Sequence, residues 1–235
     1  MINGVSPDLP HTADLPPAKE WGLRLFRVPV RLLLHSWWRV RVHGREHVPD
    51  RGPVILAANH LGVLDGPALV AVTRRRTFTI AKVELFSGLG GRLLTYVGQL
   101  PVNRRVPDGR AIGRAVQVLR AGKVLAVFPE GRRTGGEVAY ARGGAAYLAM
   151  VTGASVVPVA LLGTREPGQG RNALPHRRSP VHVVYGEPFT LPLTPWPRTR
   201  AAVADATEEL RRRLAEHVVA AQGLTGLPLP GPPKP

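Results

Sequence analysis

His60 and Asp65 are the residues through which this sequence can do chemistry. Val54-Ile55-Leu56-Ala57-Ala58 is a continuous apolar run, the mark of a buried strand, and it breaks at Asn59-His60. A neutral imidazole is the usual general base near neutral pH. Asp65, five positions on, can bind the far ring nitrogen, fix the tautomer and stabilise the imidazolium. The chain has no cysteine, and no Gly-x-Ser-x-Gly elbow lies near His60. A base acting directly on a substrate hydroxyl is therefore favoured over an enzyme-bound nucleophile. The same residues also fit a purely structural pattern, with Asn59 in a turn and Asp65 as a helix N-cap before Gly66-Pro67. Spacing alone leaves both readings open.

A second block follows a second apolar strand. Val124-Leu125-Ala126-Val127-Phe128 breaks into Pro129-Glu130-Gly131-Arg132-Arg133-Thr134. A carboxylate there is costly to bury unless it is paired, which singles out Glu130. Arg104, Arg132 and Arg133 come after extended segments, and Lys82 after another strand. Cations converging on one crevice suit a phosphate monoester, because arginine can bind two of its oxygens at once. Taken singly, each also fits a solvated surface in an arginine-rich chain.

Strands and helices alternate from about Gly52 onward, which predicts a single α/β domain with a largely parallel or mixed central sheet flanked by helices. In such a sheet the loops after the strands' carboxyl ends gather on one edge, so the His60 and Glu130 blocks should face one crevice. Helices are expected over 67–73, 108–121, 144–152 and 200–222, the last with Val203, Leu210, Leu214, Val218 and Ala221 on one face. Pro158 inside Val156–Leu162 predicts an edge strand or a bulge.

Before that domain, residues 19–42 predict amphipathic helices, kinked or split at Pro29. Trp21, Phe26, Trp37 and Trp38 join a broad apolar surface, while Arg24, Arg27 and Arg31 recur at helical spacing. A basic stripe against a Trp/Phe/Leu face describes a helix lying in a membrane interface, and an ordinary amphipathic helix packed on its own domain shares the pattern. Residues 1–18, rich in proline, are expected to be disordered and are not a signal peptide. The remaining boundaries place the α/β domain at 43–223 and a loose proline-rich tail at 224–235. No run of about eighteen apolar residues is present to span a bilayer.

The net charge of +16 implies attraction to polyanions, whether nucleic acid, an anionic membrane surface or phosphate-bearing substrates, and a basic nucleic-acid-binding protein is the distant alternative it raises. Nucleic acid is not expected as a partner, since the chain lacks a recognition-helix pattern and stacking aromatics across a basic strand surface.

Five ordered blocks carry a resemblance to a known family. Asn59-His60-Leu61-Gly62-Val63-Leu64-Asp65 matches the N-H-x-x-x-x-D block of the glycerolipid acyltransferases, the 1-acylglycerol-3-phosphate acyltransferases and their relatives. Phe128–Thr134 is similar to the family's F-P-E-G-T-R-S block, and Ala81–Phe86 to its A-K-x-E-L-F element. Gly98–Arg104 resembles the block that ends in an essential arginine, and Val156–Val159 the V-P-V block. Gly62 replaces a frequent serine and is expected to loosen the turn; Arg132 replaces the usual threonine, and Asn103 a frequent aspartate.

The resemblance implies transfer of a fatty acyl group from a thioester, on coenzyme A or acyl carrier protein, to a lysophospholipid hydroxyl. With 1-acylglycerol-3-phosphate as acceptor the product is phosphatidic acid. Another lysophospholipid, glycerol-3-phosphate or a glycolipid headgroup would use the same blocks. His60 and Asp65 would be catalytic, and Lys82, Arg104, Glu130, Gly131 and Arg133 would bind substrate. Asn59, Arg132, Thr134 and Pro158 would support the site, and peptide amides near Asn59 or Gly131 would stabilise the oxyanion. No metal or resident cofactor is implied, because a thioester is already activated. The protein would sit peripherally on the cytoplasmic face of the cell membrane.

Overall fold

The computed structural model describes residues 21–103, 108–195 and 197–234, and the side chains of Trp21, Arg24 and Phe26 lie outside this description. So do the expected disordered segment 1–18 and Arg104. Among the described residues seven strands form one sheet: β1 (Arg39–His43), β2 (Val54–Ala58), β3 (Thr77–Lys82), β4 (Gln99–Val102), β5 (Val124–Val127), β6 (Ser155–Leu162) and β7 (Pro180–Tyr185). Their spatial order is β1-β7-β6-β2-β5-β3-β4, parallel throughout except for the β6–β7 pair.

β2 lies at the centre, and its alternation builds both halves of the core. Ile55 and Ala57 join one cluster under α4 (Gly109–Arg120), α5 (Gly144–Thr152) and α6 (Arg200–Thr225). Val54, Leu56 and Ala58 join the cluster on the opposite face, against α2 (Asp65–Val72). Burial on both faces explains the unbroken apolar sequence. On α6, Ala206, Leu210, Leu214, Val218 and Ala221 are buried along one stripe. α3 (Gly88–Tyr96) leads into β4.

The amino-terminal region departs from the expected boundaries. α1 (Trp21–Trp37) is one helix that runs through Pro29, not two. Residues 39–42 are not interfacial helix but part of β1, which pairs with β7. Trp38 belongs to the core: it is 7% exposed and its indole Nε1 donates to the Pro175 carbonyl at 3.0 Å. Arg27 also turns inward. Its guanidinium donates to the carbonyls of Ala71 (3.4 Å), Arg74 (2.9 Å) and Thr73, capping the end of α2. Arg31 and Trp37 are exposed, with Arg177 stacked over the Trp37 ring. No helix among the described residues is long and apolar enough to cross a membrane.

Of the two settings expected for Pro158 the bulge holds and the edge does not, because β6 is an internal strand. The missing N–H is tolerated at an irregularity: the Val156–Phe189 bridge and the Val159–Tyr185 pair differ by one residue in register, and the Pro158 carbonyl accepts from Gly186 N. The carboxyl-terminal segment is not loose. Leu227 and Leu229 pack against the core, Pro230 is buried, and Lys234 N donates to the Gln169 carbonyl.

Candidate active site

His60 is held from every side. At the end of β2, Asn59 replaces main-chain pairing with its amide: Nδ2 donates to the Leu161 carbonyl (3.1 Å) and Oδ1 accepts from Leu161 N (2.7 Å). That fixes where the chain leaves the sheet. The His60 N–H donates to Glu130 Oε1 at 2.9 Å, and its carbonyl accepts from Thr134 N at 2.8 Å. The imidazole stacks on Phe128 with centroids 4.2 Å apart and planes at 21°. Nδ1 lies 2.7 Å from Asp65 Oδ2. A carboxylate can only accept, so Nδ1 carries the proton and the Nε2 lone pair is left for substrate.

Asp65 opens α2 without capping it. The N-cap residue is Leu64, with no side-chain cap, while Asp65 Oδ2 accepts from Leu61 N (2.7 Å) and Gly62 N (2.9 Å) as well as from the imidazole. The carboxylate is fully buried and bent back onto the loop that carries His60. The N-cap alternative is thereby removed.

Glu130 has a different place from the one expected. It is 4% exposed and absent from the walls of the His60 cleft. Its oxygens accept from the His60 N–H and the Thr134 hydroxyl, so it braces the histidine from outside the cleft. Burial raises its pKa, and the bonds from Thr134 and His60 only partly offset that. Gly131 likewise is not in the cleft: with φ 69° it turns the chain, its N–H donates to the Phe128 carbonyl, and it lines a separate pocket beside Arg142. The amides around His60 are similarly engaged, those of Leu61 and Gly62 by Asp65 and that of His60 by Glu130.

The cleft, about 360 Å³, is walled by His60, Phe128 and Pro67 and by the cations Lys82, Arg132, Arg133 and Arg171. Arg133 is anchored to the opposite wall through Asn172 Oδ1 (2.6 Å) and the Arg171 carbonyl (3.2 Å). Arg171 and Asn172 escaped the sequence reading because the loop between β6 and β7 carries no recognisable block; only the topology brings it here. The Phe128 stacking had a visible signal, an aromatic closing an apolar strand beside the Glu130 block. Next to the cleft, and sharing Pro67 and Gln99 with it, is an apolar pocket of about 200 Å³ between α1, α2 and α3, lined by Leu23, Val30, Val70 and Leu94.

Gly62 does not loosen the turn; it permits a close contact. A Cβ there would sit 2.9 Å from the Thr164 carbonyl oxygen and 3.3 Å from Arg165 Cβ. Gly62→Ser is expected to destabilise the fold by about 1–3 kcal/mol through overpacking, read as a lower midpoint in urea unfolding.

A largely parallel α/β sheet with an oriented imidazole at a central strand end, opening on a cationic cleft, defines a base-driven group-transfer site. Residues 39–162, more than half of the chain, match the Acyltransferase family model, and the chain belongs to that family. It is 28% identical over 189 residues to a 1-acyl-sn-glycerol-3-phosphate acyltransferase of Bacillus subtilis, covering 80% of this chain and 92% of the relative. It is 32% identical over 145 residues to a lyso-ornithine lipid O-acyltransferase of Pseudomonas aeruginosa, covering 57% of this chain and 55% of that one. Its fold is similar to the crystal structure of the 1-acyl-sn-glycerophosphate acyltransferase PlsC from Thermotoga maritima. The TM-score is 0.59 at 26% identity, over 84% of this chain and 78% of the other.

Proposed function

We propose that this acyltransferase moves a fatty acyl group from an acyl thioester to the free hydroxyl of 1-acylglycerol-3-phosphate, producing phosphatidic acid. The observation that supports this reading best is the His60–Asp65 pair opening onto a cleft with four cations. His60 Nε2 takes the acceptor's hydroxyl proton as the oxygen attacks the thioester carbonyl. Asp65 carries the resulting imidazolium. The tetrahedral intermediate collapses with loss of the thiolate, which takes the proton back from His60 and leaves as the thiol. With the amides of His60, Leu61, Gly62 and Gly131 engaged, the cleft's cationic side chains supply the positive field for charge developing on the carbonyl oxygen as well as for the acceptor phosphate. Lys82, Arg132, Arg133 and Arg171 hold the acceptor phosphate, and the adjoining apolar pocket receives acyl chain. The donor is coenzyme A or acyl carrier protein, each presenting the same thioester.

The similarity to a lyso-ornithine lipid acyltransferase favours one second reading, a zwitterionic acceptor with no phosphate. A screen of lysolipid acceptors against one labelled acyl thioester, with products identified by mass spectrometry, separates the two. Phosphatidic acid is the expected product; an acylated ornithine lipid alone would overturn the phosphate assignment.

The reaction takes place at a membrane surface. α1 presents Leu25, Val28, Leu32, Leu33 and Trp37 to solvent, and the neighbouring turn and α3 present Leu85, Leu89 and Leu93. Exposed apolar side chains on adjoining elements beside arginines suit the headgroup level of an anionic leaflet. Peripheral attachment follows from this reading. Replacing Leu25 and Leu32 by Asp is expected to weaken cosedimentation with anionic vesicles by about tenfold or more. Activity on detergent-dispersed substrate should persist, since both side chains are solvent-exposed. Unchanged cosedimentation would move the contact surface elsewhere.

A further inference from the structure

Arg165 is 1% exposed and among the largest fully buried side chains of the protein. A guanidinium stays charged in a protein, so burying one is expensive unless its donors are met. Its partners here are main-chain carbonyls from four separate segments. Nε donates to Leu61 O at 2.8 Å, Nη1 to Gln169 O at 3.3 Å, and Nη2 to Thr134 O at 2.8 Å and Gly231 O at 2.5 Å. Burial lowers its pKa, and the more distant charges of Asp65 and Glu137 act against that shift.

Two of the carbonyls identify what the arginine holds. Leu61 follows His60 directly, and its N–H is one of the three donors to Asp65 Oδ2. Thr134 gives its N–H to the His60 carbonyl and its hydroxyl to Glu130. The guanidinium therefore locks the two loops that pin the histidine, and joins them to the β6–β7 loop and the carboxyl-terminal segment. Gly62 leaves room for this, because a Cβ there would crowd Arg165 Cβ and the Thr164 carbonyl. Only a planar fork of five donors can serve carbonyls diverging in this way; an ammonium offers three donors from one point.

We propose that Arg165 is a positioning residue of acyl transfer, whose fork sets the His60 and Thr134 loops in register and whose charge acts on the His60–Asp65 pair from inside the protein. This inference rests on the acyl-transfer reading. A failure of that reading appears as wild-type protein inactive on every acceptor, whereas a failure of this inference appears in variants of an active wild type.

The test compares Arg165→Lys and Arg165→Met by steady-state kinetics on both substrates and by the pH dependence of kcat. His60 faces Asp65 from α2 and Glu130 from the loop after β5, with Lys82, Arg132, Arg133 and Arg171 across the cleft; both variants keep all of these. R165K keeps the charge and loses the fork. Its kcat should fall at least about tenfold with each KM within about threefold of wild type, and its acid limb should stay in place. R165M also loses the charge. Its kcat should fall further and its acid limb should move to higher pH, because removing a cation favours the imidazolium. The inference is overturned by kcat within about threefold of wild type in folded variants, or by a loss carried by KM alone. An R165M acid limb unchanged from wild type overturns the charge part. Should R165M not fold, the kcat-against-KM split in R165K decides.

Discussion

His60→Ala is expected to lower kcat for acyl transfer by about 10³–10⁴-fold while KM for the lysolipid stays close to wild type. The imidazole supplies the proton acceptor in the transition state, whereas ground-state binding of the acceptor falls to the cations on the cleft walls. Folding should survive, because the features that shape the loop use main-chain atoms. The residue-60 N–H still meets Glu130, its carbonyl still meets Thr134 N, and Asp65 Oδ2 keeps the Leu61 and Gly62 amides. Lost stacking on Phe128 leaves a small opening toward the cleft and not a sealed core cavity. Single-turnover assays with labelled acyl thioester, beside a thermal melt, make the comparison. Turnover within about tenfold of wild type in the folded variant would move the base to another residue.

How much was legible in the sequence depended on how many physical signals each segment carried. β2, β5 and α5 were readable because strands buried on both faces and a buried helix have almost no polar residues. β1 was not. Arg39-Val40-Arg41-Val42-His43 follows a tryptophan pair and alternates charge with valine, and at five residues it joins visually to the amphipathic helix before it. Its position explains the composition: at one edge of the sheet it pairs, among the described residues, with β7 alone, and charged alternate positions suit an edge. The inward turn of Arg27 and Trp38 was hidden for a related reason. A helix apolar over most of its circumference does not reveal which face meets its own domain. The carboxyl-terminal prolines suggested looseness, but leucines at 227 and 229 and the carbonyl of Gly231 give the segment attachments that composition does not register. Glu130 shows the limit most clearly. The cost of burying it implied a partner, and it has two, but the partners are the His60 main chain and Thr134. Sequence indicated that the carboxylate had to be paired, and only the fold shows with what.

Asp65→Asn should move activity and stability in opposite directions. The side chain is fully buried, and its Oδ1 has no hydrogen-bond partner among the described residues, while Oδ2 accepts three donors. A buried carboxylate with one unanswered oxygen is costly, and the isosteric amide removes the charge without changing the volume. Its oxygen can still accept from the Leu61 and Gly62 amides, so the loop keeps its shape, and the melting temperature should equal or exceed that of wild type. Catalysis has no such substitute. The neutral amide, its oxygen held at the Oδ2 position by the Leu61 and Gly62 amides, still accepts from Nδ1 but supplies no charge to stabilise the imidazolium that forms. The expected loss in kcat is about 10²–10⁴-fold, with KM little changed. Thermal unfolding and steady-state kinetics on the same preparation test this. If Asp65 served only to fold the loop, D65N would lose several degrees of stability and the folded fraction would turn over normally. If its charge serves the reaction, the variant is a stable protein with a silent histidine, and the unpaired oxygen is a stability cost retained for catalysis.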